Sequence, residues 1–98
     1  MAQHENPERR RADVFSDLGF TPAEAENLRI RSAMRRALVG FIRREKLTQA
    51  AAARLLGVTQ PRVSDLMRGK IQVFSIDNLV RLLAAAGLRV DVRVKKVA

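Results

Sequence analysis

Residues 47–66 read LTQAAAARLLGVTQPRVSDL, and they carry the strongest structural signal in the sequence. It predicts two short helices joined by a tight turn. Thr48 can cap the first helix and Thr59 the second, because a side-chain oxygen just before a helix accepts an otherwise unpaired N–H. Ala53 is small enough to let the helices cross closely. Gly57 permits the sharp turn, since glycine adopts left-handed conformations at no steric cost.

The second of these helices has one face free to contact another molecule, because Val63 and Leu66 anchor the opposite face. Residues 48–67 are therefore a helix-turn-helix. The DNA major groove admits an α-helix, and residues near the start of such a helix reach the base edges. We predict base contacts from the outward residues of this helix, which are Thr59, Gln60, Pro61, Arg62, Ser64 and Asp65.

Three of these side chains fit particular bases. Gln60 can bond adenine bidentately, Arg62 can fork onto guanine, and Asp65 can accept from cytosine N4. Each also has a plain structural explanation, since Gln60 can be a solvated first-turn residue and Arg62 can pair with Asp65 three residues on. Phosphate contacts are predicted from the flanking polar and basic residues, which are Thr48, Gln49, Arg54, Arg68 and Lys70.

The segments on either side complete a helical domain. Residues 21–24, Thr-Pro-Ala-Glu, form a capping-box pattern that starts a helix continuing to about Glu45. Ser75 can cap a further helix, which Gly87 ends. The sequence predicts a mostly α fold of four to five helices. Its core must be mainly aliphatic, because only 4% of the residues are aromatic.

The hydrophobic period changes to two near the C-terminus, the pattern of a half-buried strand. Residues 88–98 are the predicted dimerisation strand, because a lone strand leaves an unpaired edge that a second copy can cover across a two-fold axis. The alternatives are pairing with the Val14–Phe15 segment of the same chain and addition to another protein's sheet. The predicted dimer contacts are Leu88, Val90, Val92 and Val94.

The net charge of +9 is unevenly distributed. Residues 1–30 hold four Arg and six Asp or Glu, whereas residues 31–98 hold fifteen Lys or Arg and four Asp or Glu, a balance of +11. A basic domain of this kind favours a polyanion such as nucleic acid, through phosphate attraction and counterion release. A basic surface that only maintains solubility is the alternative.

The remaining features set limits on the function. Residues 1–13 lack periodicity and are predicted to be a flexible arm, whose Arg9–Arg11 run can touch DNA, while residues 14–87 form the helical DNA-binding domain. With no cysteine and one histidine, we expect no metal, no cofactor and no catalysis. No apolar run approaches the ~20 residues that span a bilayer, so we expect no membrane partner and a cytoplasmic protein.

The motif resembles that of a known family. The residues that carry this resemblance are Leu47-Thr48-Gln49, Ala53, Leu56-Gly57-Val58, Leu66 and Gly69, and they are similar to the Xre family of helix-turn-helix regulators. A closer resemblance covers about residues 14–95 and points to the HigA-type antitoxins of type II toxin–antitoxin systems. It runs through FSDLGF (15–20), Glu24-Ala25, GVTQPRVSDL (57–66) and Phe74-Ser75.

The resemblance implies a lambda-repressor-like bundle and a homodimer that represses its own operon at a pseudo-palindromic operator. In the antitoxin branch it also implies a RelE-type toxin as partner. By position in the family motif, Gln49 would contact phosphate, and the groove-facing residues would be Thr59, Gln60, Pro61, Ser64 and Asp65. Pro61 stands where many lambda-type repressors carry a polar residue, so only an apolar contact is expected there.

Residues 10–30 are the predicted toxin contact. RelE-type toxins are usually basic, and this region carries the acidic residues Asp13, Asp17, Glu24 and Glu26. Three alternatives remain open: a stand-alone Xre-type or phage-like repressor without a toxin, a protein-interaction module that reuses the helix-turn-helix scaffold, and non-specific packaging of DNA.

Overall fold

The computed structural model describes residues 19–97, which form four α-helices and one short 3₁₀ turn. The helices are α1 (Pro22–Arg44), α2 (Gln49–Leu56), α3 (Gln60–Arg68) and α4 (Ile76–Ala85), and the 3₁₀ turn (Ile71–Val73) lies between α3 and α4. The positions agree with the predicted helices. The predicted arm at residues 1–13 lies outside the described residues.

The helices begin where capping side chains were predicted. Thr21, Thr48, Thr59 and Ser75 each accept a hydrogen bond from the backbone N–H three residues further on. At the start of α1 the Glu24 carboxylate in turn accepts the Thr21 N–H at 3.0 Å, which completes the capping box. These caps satisfy N–H groups that a helix leaves unpaired, so local sequence sets all four starting points.

One apolar core joins the helices. Leu38 of α1, Leu66 of α3 and Leu79 of α4 are at most 1% exposed, and Ala52 of α2 is fully buried. The small side chain of Ala52 lets α2 approach its neighbours closely. Phe74 follows the 3₁₀ turn and closes the core at 3% exposure. Full burial of a leucine or phenylalanine side chain contributes about 1.5–3 kcal/mol, so this core fixes the relative positions of α2 and α3.

The long helix α1 supports the others. It is amphipathic over its 23 residues, and the buried stripe includes Met34, Leu38 and Ile42, which are spaced four residues apart. Arginines occupy much of its remaining surface. Across residues 19–97, no helix is both long and apolar enough to cross a membrane.

Residues 88–97 form no β-ladder with the rest of the described chain. Leu88 and Val90 are partly buried and pack on the core, whereas Val92 and Val94 are 82% and 90% exposed. The segment is thus anchored at its start and exposed beyond it. The predicted strand, whose partner would be a second chain, stays a prediction, and the alternative partner at residues 14–15 lies outside the described residues.

Candidate nucleic-acid interface

The turn between α2 and α3 is closed by Gly57. Its φ of 70° lies in the left-handed region, and the next N–H, that of Val58, donates to the Ala53 carbonyl at 3.0 Å. A Cβ at Gly57 would meet no atom within 4 Å. Backbone conformation, and not lack of space, therefore requires glycine here.

Helix α3 has a buried face and an outward face. Val63 and Leu66 are 1% exposed. Because successive residues are rotated by about 100°, Pro61 and Ser64 lie on the side away from these two, and Gln60 lies at the border between the two faces. The structure thus gathers most of the predicted base-reading residues on one surface. Gln60 and Pro61 are exposed, and Ser64 is half-buried.

The two threonine caps keep a donor for DNA. Thr59 Oγ1 accepts the Arg62 N–H at 3.3 Å, and Thr48 Oγ1 accepts the Ala51 N–H at 3.0 Å. Each hydroxyl proton is still available to donate, and phosphate oxygens are acceptors. The predicted contacts from Thr48 and Thr59 are therefore compatible with their capping role.

Arg62 lies on the flank of α3. Its Nη1 donates to the Val73 carbonyl at 3.1 Å, and its guanidinium carbon lies 5.5 Å from the centre of the Phe74 ring. This cation–π contact and hydrogen bond brace the segment that follows α3. The predicted contact with guanine would require the side chain to leave both partners.

Asp65 is accompanied by two cations. Its carboxylate lies 3.5 Å from Arg68 Nη2 and 3.9 Å from Lys70 Nζ. Arg68 and Lys70, and not Arg62, are thus its ion-pair partners. Pairs this exposed contribute little stability, but they offset negative charge on a surface expected to meet phosphates.

The predicted phosphate contacts are exposed but do not form one cluster. Gln49 stands with Thr48 at the N-terminus of α2, where the helix dipole favours anions. Arg54 lies in the last turn of the same helix, about 7.5 Å further along the axis. Arg68 and Lys70 flank the end of α3.

Two arginines of α1 that the sequence analysis did not single out support α3. Arg35 donates to the carbonyls of Leu66 and Met67, and Arg31 donates to the Ile71 carbonyl. The last carbonyls of α3 need partners, and arginines four residues apart share one face of α1, but nothing local in the sequence pairs the one with the other.

The acidic residues at the start of α1 have structural partners. Hydrogen bonds from the backbone and side chain of Thr21 hold the pKa of Glu24 below its ordinary value. Arg29 donates to both carboxylate oxygens of Glu26, at 3.0 and 2.6 Å, and lowers the pKa of Glu26. Asp13 and Asp17 lie outside the described residues. Among residues 19–97, no group of His, Asp or Glu could hold a metal ion.

Comparisons with known proteins agree with this geometry. A family model described as "Helix-turn-helix domain" matches residues 14–95. A solved structure assigned to the XRE family of transcriptional regulators is 39% identical, with a TM-score of 0.69, and the match covers 74% of this chain and 81% of that one. No curated protein matches this chain. The chain therefore belongs to the helix-turn-helix family as an XRE-type regulator, and its role is DNA-binding transcription regulation.

Proposed function

We propose that the protein is a sequence-specific transcriptional repressor that binds a pseudo-palindromic operator as a homodimer. The observation that carries this proposal is the outward face of α3. Gln60 and Pro61 are exposed at its first turn, while Val63 and Leu66 are buried behind them. This is the arrangement in which a recognition helix presents its N-terminal residues to a major groove.

The charge of the domain supports DNA as the partner. Residues 31–98 carry fifteen Lys or Arg against four Asp or Glu. Around α3 the exposed cations include Arg68 and Lys70, which offset the carboxylate of Asp65. Phosphate attraction would thus hold the domain on the duplex, and base contacts would select the site.

The C-terminal segment supports a homodimer. Val92 and Val94 are 82% and 90% exposed, two apolar side chains on one face of the predicted strand that a single chain leaves in water. Leu88 and Val90 anchor the segment to the core of its own chain. Antiparallel pairing of two copies would cover the exposed valines, and a two-fold dimer would place its recognition helices about 34–36 Å apart.

The direct test is selection of binding sites from a library of random duplexes. We expect enrichment of a pseudo-palindrome with half-sites about 10–10.5 base pairs apart. The enriched duplex should bind roughly 10³-fold or more tightly than a scrambled one. Binding without enrichment would indicate non-specific packaging, and no binding would indicate a protein-interaction module. Either result would contradict the proposal.

The more specific proposal is that this repressor is the autoregulatory antitoxin of a toxin–antitoxin operon. Its support is the resemblance over residues 14–95 and the acidic pair Glu24 and Glu26 at the start of α1. The test is co-expression with the gene adjacent to its own. The expected result is that the adjacent gene alone arrests growth and that this protein relieves the arrest. A Glu24→Lys, Glu26→Lys variant that still binds the selected duplex should not relieve it. An adjacent gene without toxicity would favour a stand-alone repressor.

A further inference from the structure

The end of the recognition helix is held by side chains from α1. Arg35 Nε donates to the Leu66 carbonyl at 2.7 Å, and its Nη2 donates to the Met67 carbonyl at 3.0 Å. One turn earlier on α1, Arg31 Nη1 donates to the Ile71 carbonyl at 2.9 Å. Two guanidinium groups thus hold α3 and the turn that follows it.

These contacts complete the hydrogen bonding at the end of α3. The Gly69 N–H donates to the Leu66 carbonyl at 3.2 Å, and the Lys70 N–H donates to the Asp65 carbonyl at 3.0 Å. The Met67 carbonyl is instead taken by Arg35. A cation at this end is also favoured by the helix dipole. Arg35 therefore acts as a cap supplied by another helix.

Both guanidinium groups are held in place. Asn27 Oδ1 accepts from Arg31 Nε at 2.6 Å and so orients that side chain. The Arg35 guanidinium carbon lies 3.5 Å from where a Cβ at Gly69 would stand, an ordinary van der Waals distance, so the φ of 80° and not lack of space favours glycine there. Arg31 and Arg35 are partly buried, unlike the exposed Arg36 beside them.

We propose that Arg31 and Arg35 are positioning residues that set the axis of α3 and thereby its discrimination between bases. Helix α3 packs mainly against α2 and meets α1 at fewer positions. The two hydrogen bonds that Arg35 donates are therefore a principal link between α3 and α1. The consequence for DNA rests on the proposed sequence-specific function, whereas the effect on the helix axis does not.

The first experiment measures the orientation of α3 without DNA. Arg35→Lys keeps the charge but loses the paired donors, and Arg36→Lys is the matched control on the exposed face. Residual dipolar couplings of backbone amides should show α3 reoriented or more mobile relative to α1 and α4 in Arg35→Lys only. Asn27→Ala, which removes only the group that orients Arg31, is a milder second variant. Wild-type α3 couplings in both Arg35→Lys and Asn27→Ala would overturn the proposal.

The second experiment measures discrimination, as the ratio of affinities for the selected and scrambled duplexes. Arg35→Lys should lower this ratio about fivefold or more, as if one bidentate base contact were broken. Partial unfolding would lower both affinities by the same factor and leave the ratio unchanged. If the wild type prefers the selected duplex and Arg35→Lys shows the same ratio of affinities, the positioning role is overturned. If the wild type itself shows no preference, the proposed function fails, and the dipolar couplings decide the positioning of α3.

Discussion

Gln60 is the residue on which we propose that base recognition depends most. Thr59 is engaged as a cap, Arg62 is held by Val73 and Phe74, and Asp65 has two cationic partners. The Gln60 side chain is exposed and makes no hydrogen bond within residues 19–97. Its amide is therefore free to pair with an adenine edge without breaking an existing contact.

Replacing Gln60 with alanine should weaken binding to the selected duplex by about 1–3 kcal/mol if the contact is bidentate. Binding to a scrambled duplex should not change, because no phosphate contact is removed. Gln72→Ala, an exposed glutamine on the 3₁₀ turn, is the control. Titration of both duplexes measures the effect. An equal loss on the two would contradict a base contact by Gln60.

Glu24 makes the start of α1 sensitive to acid. Its hydrogen bonds to Thr21 lower the folded-state pKa below the ordinary 4.5, so the stabilisation is present above that value and is lost as pH falls through the lowered pKa. The melting temperature of Glu24→Gln should therefore lie below that of the wild type at pH 7, with the difference shrinking below about pH 4.5. Thermal unfolding across this range tests it, and a difference independent of pH would contradict the role of the charge.

The helices and the turn between α2 and α3 could be predicted from the sequence, because the interactions that form them join residues close together in the chain. Thr48, Thr59 and Gly57 each act on neighbours at most five positions away. The braces from Arg31 and Arg35 escaped prediction, since their acceptors are 31 to 43 residues distant along the chain. An arginine on a helix surface carries no local mark that separates a cap for another helix from a solvated charge.

Gly57→Ala tests the turn between α2 and α3. It should destabilise the protein by about 1–2 kcal/mol, because the left-handed conformation is less favourable by that amount for alanine, which has a Cβ. Gly40→Ala is a control of opposite sign: in the interior of α1, alanine should stabilise by about 0.5–1 kcal/mol, with only the flexible Arg44 Nη1 nearby at 3.4 Å. Urea unfolding measures both. If Gly57→Ala were as stable as the wild type, the turn would not need glycine.

In the molecule as a whole, the C-terminal segment is where we propose that a second copy binds. The alternation of residues 88–94 predicted one apolar side, and the single chain buries only the part nearest α4. No contact within the described chain covers Val92 and Val94. The pairing of this segment with a second copy was therefore inferred from the alternating sequence pattern alone.

The double variant Val92→Ser, Val94→Ser should convert a dimer to a monomer. Each valine buried at the interface contributes about 1.5–3 kcal/mol, while Leu88 and Val90 keep the domain folded. Deletion of residues 92–98 should have the same effect. Val73→Ser, on the exposed 3₁₀ turn, is the control. Size-exclusion chromatography with light scattering reads the mass, and a dimer that survives both changes would contradict dimerisation by this segment.

A salt titration on two duplexes measures whether DNA binding is sequence-specific. The DNA immediately upstream of the gene is compared with a scrambled duplex of equal length. We predict that the upstream DNA binds roughly 10³-fold or more tightly, and that the logarithm of its affinity falls steeply with the logarithm of salt concentration, by about 0.9 for each phosphate neutralised. Equal affinity for the two duplexes would contradict an autoregulatory repressor.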